Sequence, residues 1–405
     1  MASKGLNTSI YRGFWFAILA SAFVQVRVQI GDSGPLVLIS TFEFVVLLLT
    51  AMGLWKGWAS WPPKRMTWLV GLLGLGIIAH SLFVSAQTVG TIPGTFSHIA
   101  QQTADTTSIV KETIKPLVLI LLFTCLVALF QDDAAREVPV MIVFGVVAAF
   151  AVPVVLISIF EPIFIARTSQ AVGLVCLVFL IAQDAIWMHS RRRRLFLIAL
   201  SIAVFCVCIV LKSKATALTA FLFAIWFYVA PTFAQPAKRR ATSLLLFIGT
   251  TMAAVFAVIA LTGDSTEKFY RIDSVSQSLD VRLRIWEVTT TTLVENFPVG
   301  VGLGQLGVIL TNADLLWNES HRFPHNSALG LLTELGFFGG AIIALLVWVI
   351  VRGLQYWPWP VRFLYLVLLG PALILQDGHS IRTIVLILAL GYAGYLSKRT
   401  QPETE

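Results

Sequence analysis

Two stretches of this 405-residue chain place reactive side chains beside hydrophobic runs. In FPHNSALGLLTELGFFGG, residues 323–340, His325 and Asn326 stand directly before an apolar block. An imidazole ionises near pH 6.5 in its ordinary state, so it can accept or deliver a proton near neutrality. Pro324 fixes the chain ahead of it, and Asn326 is a helix-capping residue type. His325 is therefore expected at a helix entrance rather than on a loop tip. In SLDVRLRIWEV, residues 278–288, Arg282 offers a planar fork suited to phosphate. At about 100° per residue, Leu279, Leu283, Trp286, Thr290 and Leu293 form one largely apolar stripe. Arg282 borders that stripe one turn from Trp286, and Arg284 points nearly opposite, towards water. Asp280 and Glu287 offer a plainer reading, surface ion pairs worth under about 1 kcal/mol each.

Three further cations fall near apolar blocks: Arg167 in EPIFIARTSQAVG, and Lys212 and Lys214 in VLKSKATAL. Each alone could snorkel to lipid phosphates; together they suggest a shared anionic ligand. His321 reads as a solvated loop residue, and His379 lies in the short segment QDGHSIR. Gly302-Leu-Gly304-Gln-Leu-Gly307 matches a dinucleotide fingerprint, which needs a preceding strand and a βαβ unit. After Phe297-Pro298 these glycines read instead as a tight turn with close backbone approach. The sequence shows no D-x-D on the same side, no His/Asp/Glu cluster at metal-ligand spacing, no G-x-S-x-G and no Walker loop. No metal or other cofactor is expected.

The elements that must position these groups are membrane helices. Hydrophobic residues make up 57% of the chain and charged residues 12%, with a mean hydropathy of +0.85. The apolar residues form continuous blocks of about 20, the length that crosses the hydrocarbon core. An all-α polytopic protein of about twelve spans follows. The expected spans are 13–30, 35–55, 67–87, 116–131, 138–160, 170–188, 195–211, 215–234, 242–262, 336–351, 361–376 and 383–397. The net charge of +8 comes largely from loops on one side, among them Arg191 to Arg194 and Lys238 to Arg240. The positive-inside rule makes that side cytoplasmic, with both termini on it, and nucleic acid is not an expected partner. Residues 1–262 then hold nine spans, 263–335 a long helical extracytoplasmic segment, and 336–405 the last three spans with a short tail. No cleavable leader is apparent, since Phe14 to Ile30 lacks a small-residue cleavage site. Cys125, Cys176, Cys206 and Cys208 all lie in apolar blocks, without metal or disulfide spacing.

Three stretches together resemble the O-antigen ligase and polymerase family of bacterial envelope glycosyltransferases. SLDVRLRIWEVTTTTLVENFPVGVGLGQLG is similar to the family's Arg-x-x-x-Trp helix and glycine turn. PHNSALGLLTELGFFGG resembles its His-Asn motif, and KSKATALTAFLF its Ser-Arg-small motif, with Lys214 in the arginine's place. The resemblance implies a glycosyltransferase-C-like fold in the bacterial inner membrane, with the active site facing the periplasm. It also implies a metal-independent, inverting ligase that moves a glycan from undecaprenyl diphosphate to a sugar hydroxyl of lipid A-core oligosaccharide, completing lipopolysaccharide. His325 would act as general base and Arg282 would hold the diphosphate, helped by Arg167, Lys212, Lys214 and Arg284. Asn326, Trp286 and His321 would support them. An O-antigen polymerase or a protein O-oligosaccharyltransferase would share the donor. A transporter, from a different class, would instead place ionisable residues inside spans, where Arg27, Glu43 and His80 are the few candidates.

Overall fold

A backbone crossing hydrocarbon must satisfy its own N–H and C=O groups, and the apolar blocks of this chain do so as helices. The computed structural model describes residues 2–23, 41–88, 106–146, 167–211, 213–233, 275–312, 326–374 and 382–400, and no strand occurs among them. In chain order the helices are α1 (Ala2–Phe23), α2 (Thr41–Lys56), α3 (Lys64–Thr88), α4 (Thr106–Leu129), α5 (Asp133–Arg136), α6 (Val140–Val146), α7 (Arg167–Ala182) and α8 (Arg191–Val210). They continue with α9 (Lys214–Phe233), α10 (Val275–Asn296), α11 (Gln305–Asn312), α12 (Ser327–Leu335), α13 (Phe337–Tyr356), α14 (Trp359–Ile374) and α15 (Arg382–Thr400).

Lys64–Val84, Arg191–Val210, Ala215–Phe233 and Phe337–Tyr356 are long and apolar enough to cross a membrane. They overlie the expected spans 67–87, 195–211, 215–234 and 336–351. Thr113–Leu129, Ala171–Ala182 and Trp359–Leu373 are shorter apolar helices on the expected spans 116–131, 170–188 and 361–376. The chain is thus a helical, multi-pass membrane protein. The expected span 242–262, the remainders of 13–30 and 138–160, and the start of the long segment at 263–274 lie outside the described residues.

Side-chain and backbone contacts fix the helix directions. Arg382 Nε, at the start of α15, donates to Glu43 Oε1 at the start of α2 over 2.7 Å. The Ser60 N–H, just past α2, donates to the Ala128 carbonyl at the end of α4, so α2 and α4 run the same way. Trp226 Nε1, late in α9, donates to the Pro360 carbonyl at the start of α14 over 2.7 Å, so these two are antiparallel. Followed through the bundle, α2, α4, α7, α9, α13 and α15 all begin at one end, where α3 finishes. The other end gathers Lys56, Lys64, Arg65, Arg136, Arg191 to Arg194, Arg352, Arg362 and Lys398, the basic set that charge patterning alone puts on one side.

Aromatic anchors and small residues hold the bundle together. Trp15 and Trp187 are fully buried, and each satisfies its indole N–H on a carbonyl, Ala135 and Ala182 respectively. Trp226 stacks on Phe363 with ring centroids 4.1 Å apart. Glycines let α13 and α15 approach closely: a Cβ on Gly391 would lie 3.1 Å from the Gly353 Cα. Without a hydrophobic drive between helices in lipid, such close packing carries much of the association. Cys125, Cys176 and Cys208 are buried and Cys206 is exposed, all as free thiols.

Candidate functional site

α12 starts where it does because Asn326 caps it. The Asn326 Oδ1 accepts from the N–H groups of Ala328 and Leu329, both at 3.1 Å, which satisfies two donors that a helix start leaves unpaired. The helix stops at Gly336, whose φ of 53° suits a residue without Cβ. α13 then continues the chain along the bundle.

α10 ends in the turn Phe297 to Gly304, and this turn locks onto the end of α12. Val301 N–H donates to the Thr333 carbonyl (2.9 Å), Gly302 N–H to the Glu334 carbonyl (2.8 Å), and Phe337 N–H to the Pro298 carbonyl (2.8 Å). The Glu334 carboxylate adds a fourth bond, accepting from Gly304 N–H through Oε1 at 3.1 Å. The fit requires glycine. A Cβ on Gly300 would lie 2.6 Å from the Gly336 nitrogen, and one on Gly336 would run into the Pro298 carbonyl oxygen. Gly300, Gly302 and Gly304 have φ of 84°, 93° and 82°. The G-x-G-x-x-G stretch is therefore a tight docking turn, with no strand ahead of it. α3 holds the same turn from beneath, where buried His80 donates from Nε2 to the Val299 carbonyl over 2.7 Å.

The docked face of α10 differs from the stripe expected from periodicity. Ile285, Thr289 and Thr292 are buried, whereas Leu283 is 51% exposed and Thr290 is exposed. Ile285 packs with Val301, Leu306 and Leu310, and the Thr333 hydroxyl reaches the Thr289 carbonyl at 3.4 Å. The partner surface, made by the turn, α11 and α12, selects that face, which carries two threonines and so does not stand out as apolar. Arg282 is half-buried and flanks this docked face, Trp286 is half-buried beyond it, and Arg284 is exposed.

Arg167 and Lys214 are the first residues of α7 and α9, and both helices begin at the same end of the bundle as α12 and α15. His325, His321 and Lys212 lie outside the described residues. Chain order still puts His325 directly before the Asn326 cap. Helix N-termini carry partial positive charge, so this end favours an anion. Among the described residues no three His, Cys, Asp or Glu side chains gather as a metal site. His80, Thr333 and Glu334 are contributors that sequence reasoning did not assign to the site. The available signal was the presence of His80 and Glu334 in otherwise apolar helices.

The α9, α10, turn and α12 elements all fall within residues 200–344, and that stretch matches the family model described as O-antigen ligase. Over this stretch the chain is similar to the O-antigen ligase family. No curated protein matches the chain. The O-antigen ligase match takes in Lys214, Arg282, Arg284, Trp286, Glu334, and the His325-Asn326 pair. Arg167, His80 and the Glu43–Arg382 pair come from helices outside it. The likeness supports an enzyme activity of the ligase and polymerase kind in general, a glycosyl transfer between lipid-linked substrates. Of the residues named for a transporter reading, Glu43 is paired with Arg382 and His80 with the Val299 carbonyl, both near one end of the bundle. Arg27 lies outside the described residues.

Proposed function

We propose that the protein is an O-antigen ligase of the bacterial inner membrane, working at the periplasmic face with both termini in the cytoplasm. The donor is a glycan on undecaprenyl diphosphate and the acceptor a sugar hydroxyl of lipid A-core oligosaccharide. The observation that carries this reading is the lock between the turn after α10 and the end of α12. It makes the Arg282 helix and the helix behind His325 and Asn326 one rigid unit inside the family-matched stretch.

The chemistry follows from that unit. His325 removes the proton from the acceptor hydroxyl, whose oxygen attacks the anomeric carbon from the face opposite the diphosphate. The bond from that carbon to the diphosphate oxygen breaks, and undecaprenyl diphosphate leaves with inversion. Negative charge grows on the leaving oxygen, so a fixed cation lowers the barrier. Arg282 supplies it, with Arg167, Lys212, Lys214 and Arg284 around the diphosphate. Lys214 gives a point charge where the family motif carries a planar fork. Asn326, Trp286 and His321 hold the imidazole and the sugar in place.

The test is transfer by purified protein from undecaprenyl-diphosphate glycan to lipid A-core, with chelator present. His325→Ala and Arg282→Ala should each lower the rate at least about 100-fold, the scale of losing a general base or a charge-stabilising group. Near wild-type rates in both variants would overturn the assignment of roles. Use of a second lipid-linked glycan or of a protein, with lipid A-core ignored, would move the acceptor to the polymerase or protein-modifying reading.

A further inference from the structure

Beneath the glycine turn, α3, α4, α13 and α15 enclose a cleft of about 590 Å³. Its form follows from where α3 and α13 meet. Near the turn they touch: a Cβ on Gly76 would lie 2.7 Å from Phe338, and Leu73, Ile77 and Ile342 close the space around Leu331. Towards the basic end of the bundle the two helices part. Leu119 and Phe123 of α4, with Leu388 and Tyr392 of α15, line the space between them. The volume is that of a small-molecule site, commonly about 300–1,000 Å³. Its walls are hydrocarbon along most of their length.

The polar groups sit at the basic end. Arg65, at the start of α3, lines the mouth, is exposed, and makes no hydrogen bond or ion pair among the described residues. Gln131 also lines it, and its Nε2 is buried without a hydrogen-bond partner. Arg352, beside the lining, lies over two lining rings, 4.9 Å from the Tyr395 centroid and 5.8 Å from the Trp348 centroid; its Nη1 donates to Gln355 Oε1 over 3.0 Å, and its Nε is buried without a partner. An unpaired buried N–H donor is costly, and three donor groups with two positive charges at one apolar mouth complement an oxygen-rich anion. Basic pockets between membrane helices on the positive side bind anionic lipid headgroups.

We propose that this cleft binds an anionic glycerophospholipid, with its phosphate at Arg65, Gln131 and Arg352 and one acyl chain running towards the glycine turn. The mouth lies at the end of the bundle opposite Arg282, so this lipid is distinct from the glycan donor. The inference needs only that the bundle is embedded in lipid; it does not depend on the transfer chemistry.

Native mass spectrometry of the delipidated full chain in detergent tests it, with phosphatidylglycerol and phosphatidylcholine as probes. Phosphatidylglycerol should be retained about tenfold better than phosphatidylcholine, and Arg65→Ala should remove that preference, the effect of losing about 1.4 kcal/mol of headgroup binding. Leu346→Trp, which narrows the cleft, should lower retention of both lipids. A phosphatidylglycerol with a photoreactive acyl chain should label α4 and α13 facing the cleft. Equal retention of the two lipids, an unchanged preference in Arg65→Ala, or labels scattered over the outer helix faces would each overturn the proposal. Displacement of phosphatidylglycerol by equimolar undecaprenyl phosphate would do so too, and would make the cleft the donor's tail site.

Discussion

Glu334 accepts twice from the docking turn, through its carbonyl from Gly302 and through Oε1 from Gly304. Truncation leaves the Gly304 N–H without that acceptor, at a cost of about 1–3 kcal/mol. Glu334→Ala should therefore lower the melting temperature in detergent and depress transfer, whereas Glu334→Gln keeps an acceptor oxygen and should stay near wild type in stability. If the two substitutions destabilise equally, charge rather than hydrogen bonding holds the turn. His80 shows why such residues are hard to assign from sequence. An imidazole in an apolar helix is visible at once, but its partner is a main-chain carbonyl 219 residues away. Nothing in residue type marks Val299 as that partner. Asn326 is the opposite case, because a cap acts on N–H groups two and three residues ahead and its target is local.

At the scale of elements, the turn and α12 hold each other only because glycine stands at the contact. Gly300→Ala and Gly336→Ala should each abolish transfer while the protein still inserts and purifies, since the added Cβ meets backbone that cannot yield. Gly370→Ala, where nothing lies within 4 Å of the new Cβ, is the control and should retain activity. Transfer that survives both turn substitutions would show that the lock does not position the site. α10 gives a second test, because periodicity and tertiary packing choose different faces. Ile285, 2% exposed, should cost about 2–4 kcal/mol when truncated to Ala. Leu283, 51% exposed, should cost under about 0.5 kcal/mol. The apolar stripe alone predicts the reverse order, so denaturation of the two variants decides between them.

At the scale of the whole molecule, the Glu43–Arg382 pair ties the second helix to the last. Glu43 keeps only 4% side-chain exposure and Arg382 keeps 29%, with 2.7 Å between Nε and Oε1. Removing one partner strands a charge, though solvent at Arg382 softens the loss. Glu43→Ala and Arg382→Ala should each cost about 1–3 kcal/mol, less than a fully buried pair. A double-mutant cycle should show the double variant costing less than the two singles together. Strict additivity would mean that the pair does not couple the two helices.

The sequence by itself determined that this chain is a bundle of membrane helices and where its capping asparagine, glycine turn and basic loops stand. Both properties are local. A run of apolar residues satisfies its backbone within itself, and a cap, a glycine turn or a basic loop is written in neighbouring residues. Only the tertiary structure decided which face of α10 is docked, that His80 and Glu334 support the turn, and that Glu43 is neutralised by Arg382. Those outcomes depend on pairings between distant segments, and residue type constrains such pairings only weakly. Threonine can line a docked face as well as an exposed one, and any main-chain carbonyl can accept from a buried imidazole. The partner surface makes the choice, and it exists only once the helices have packed.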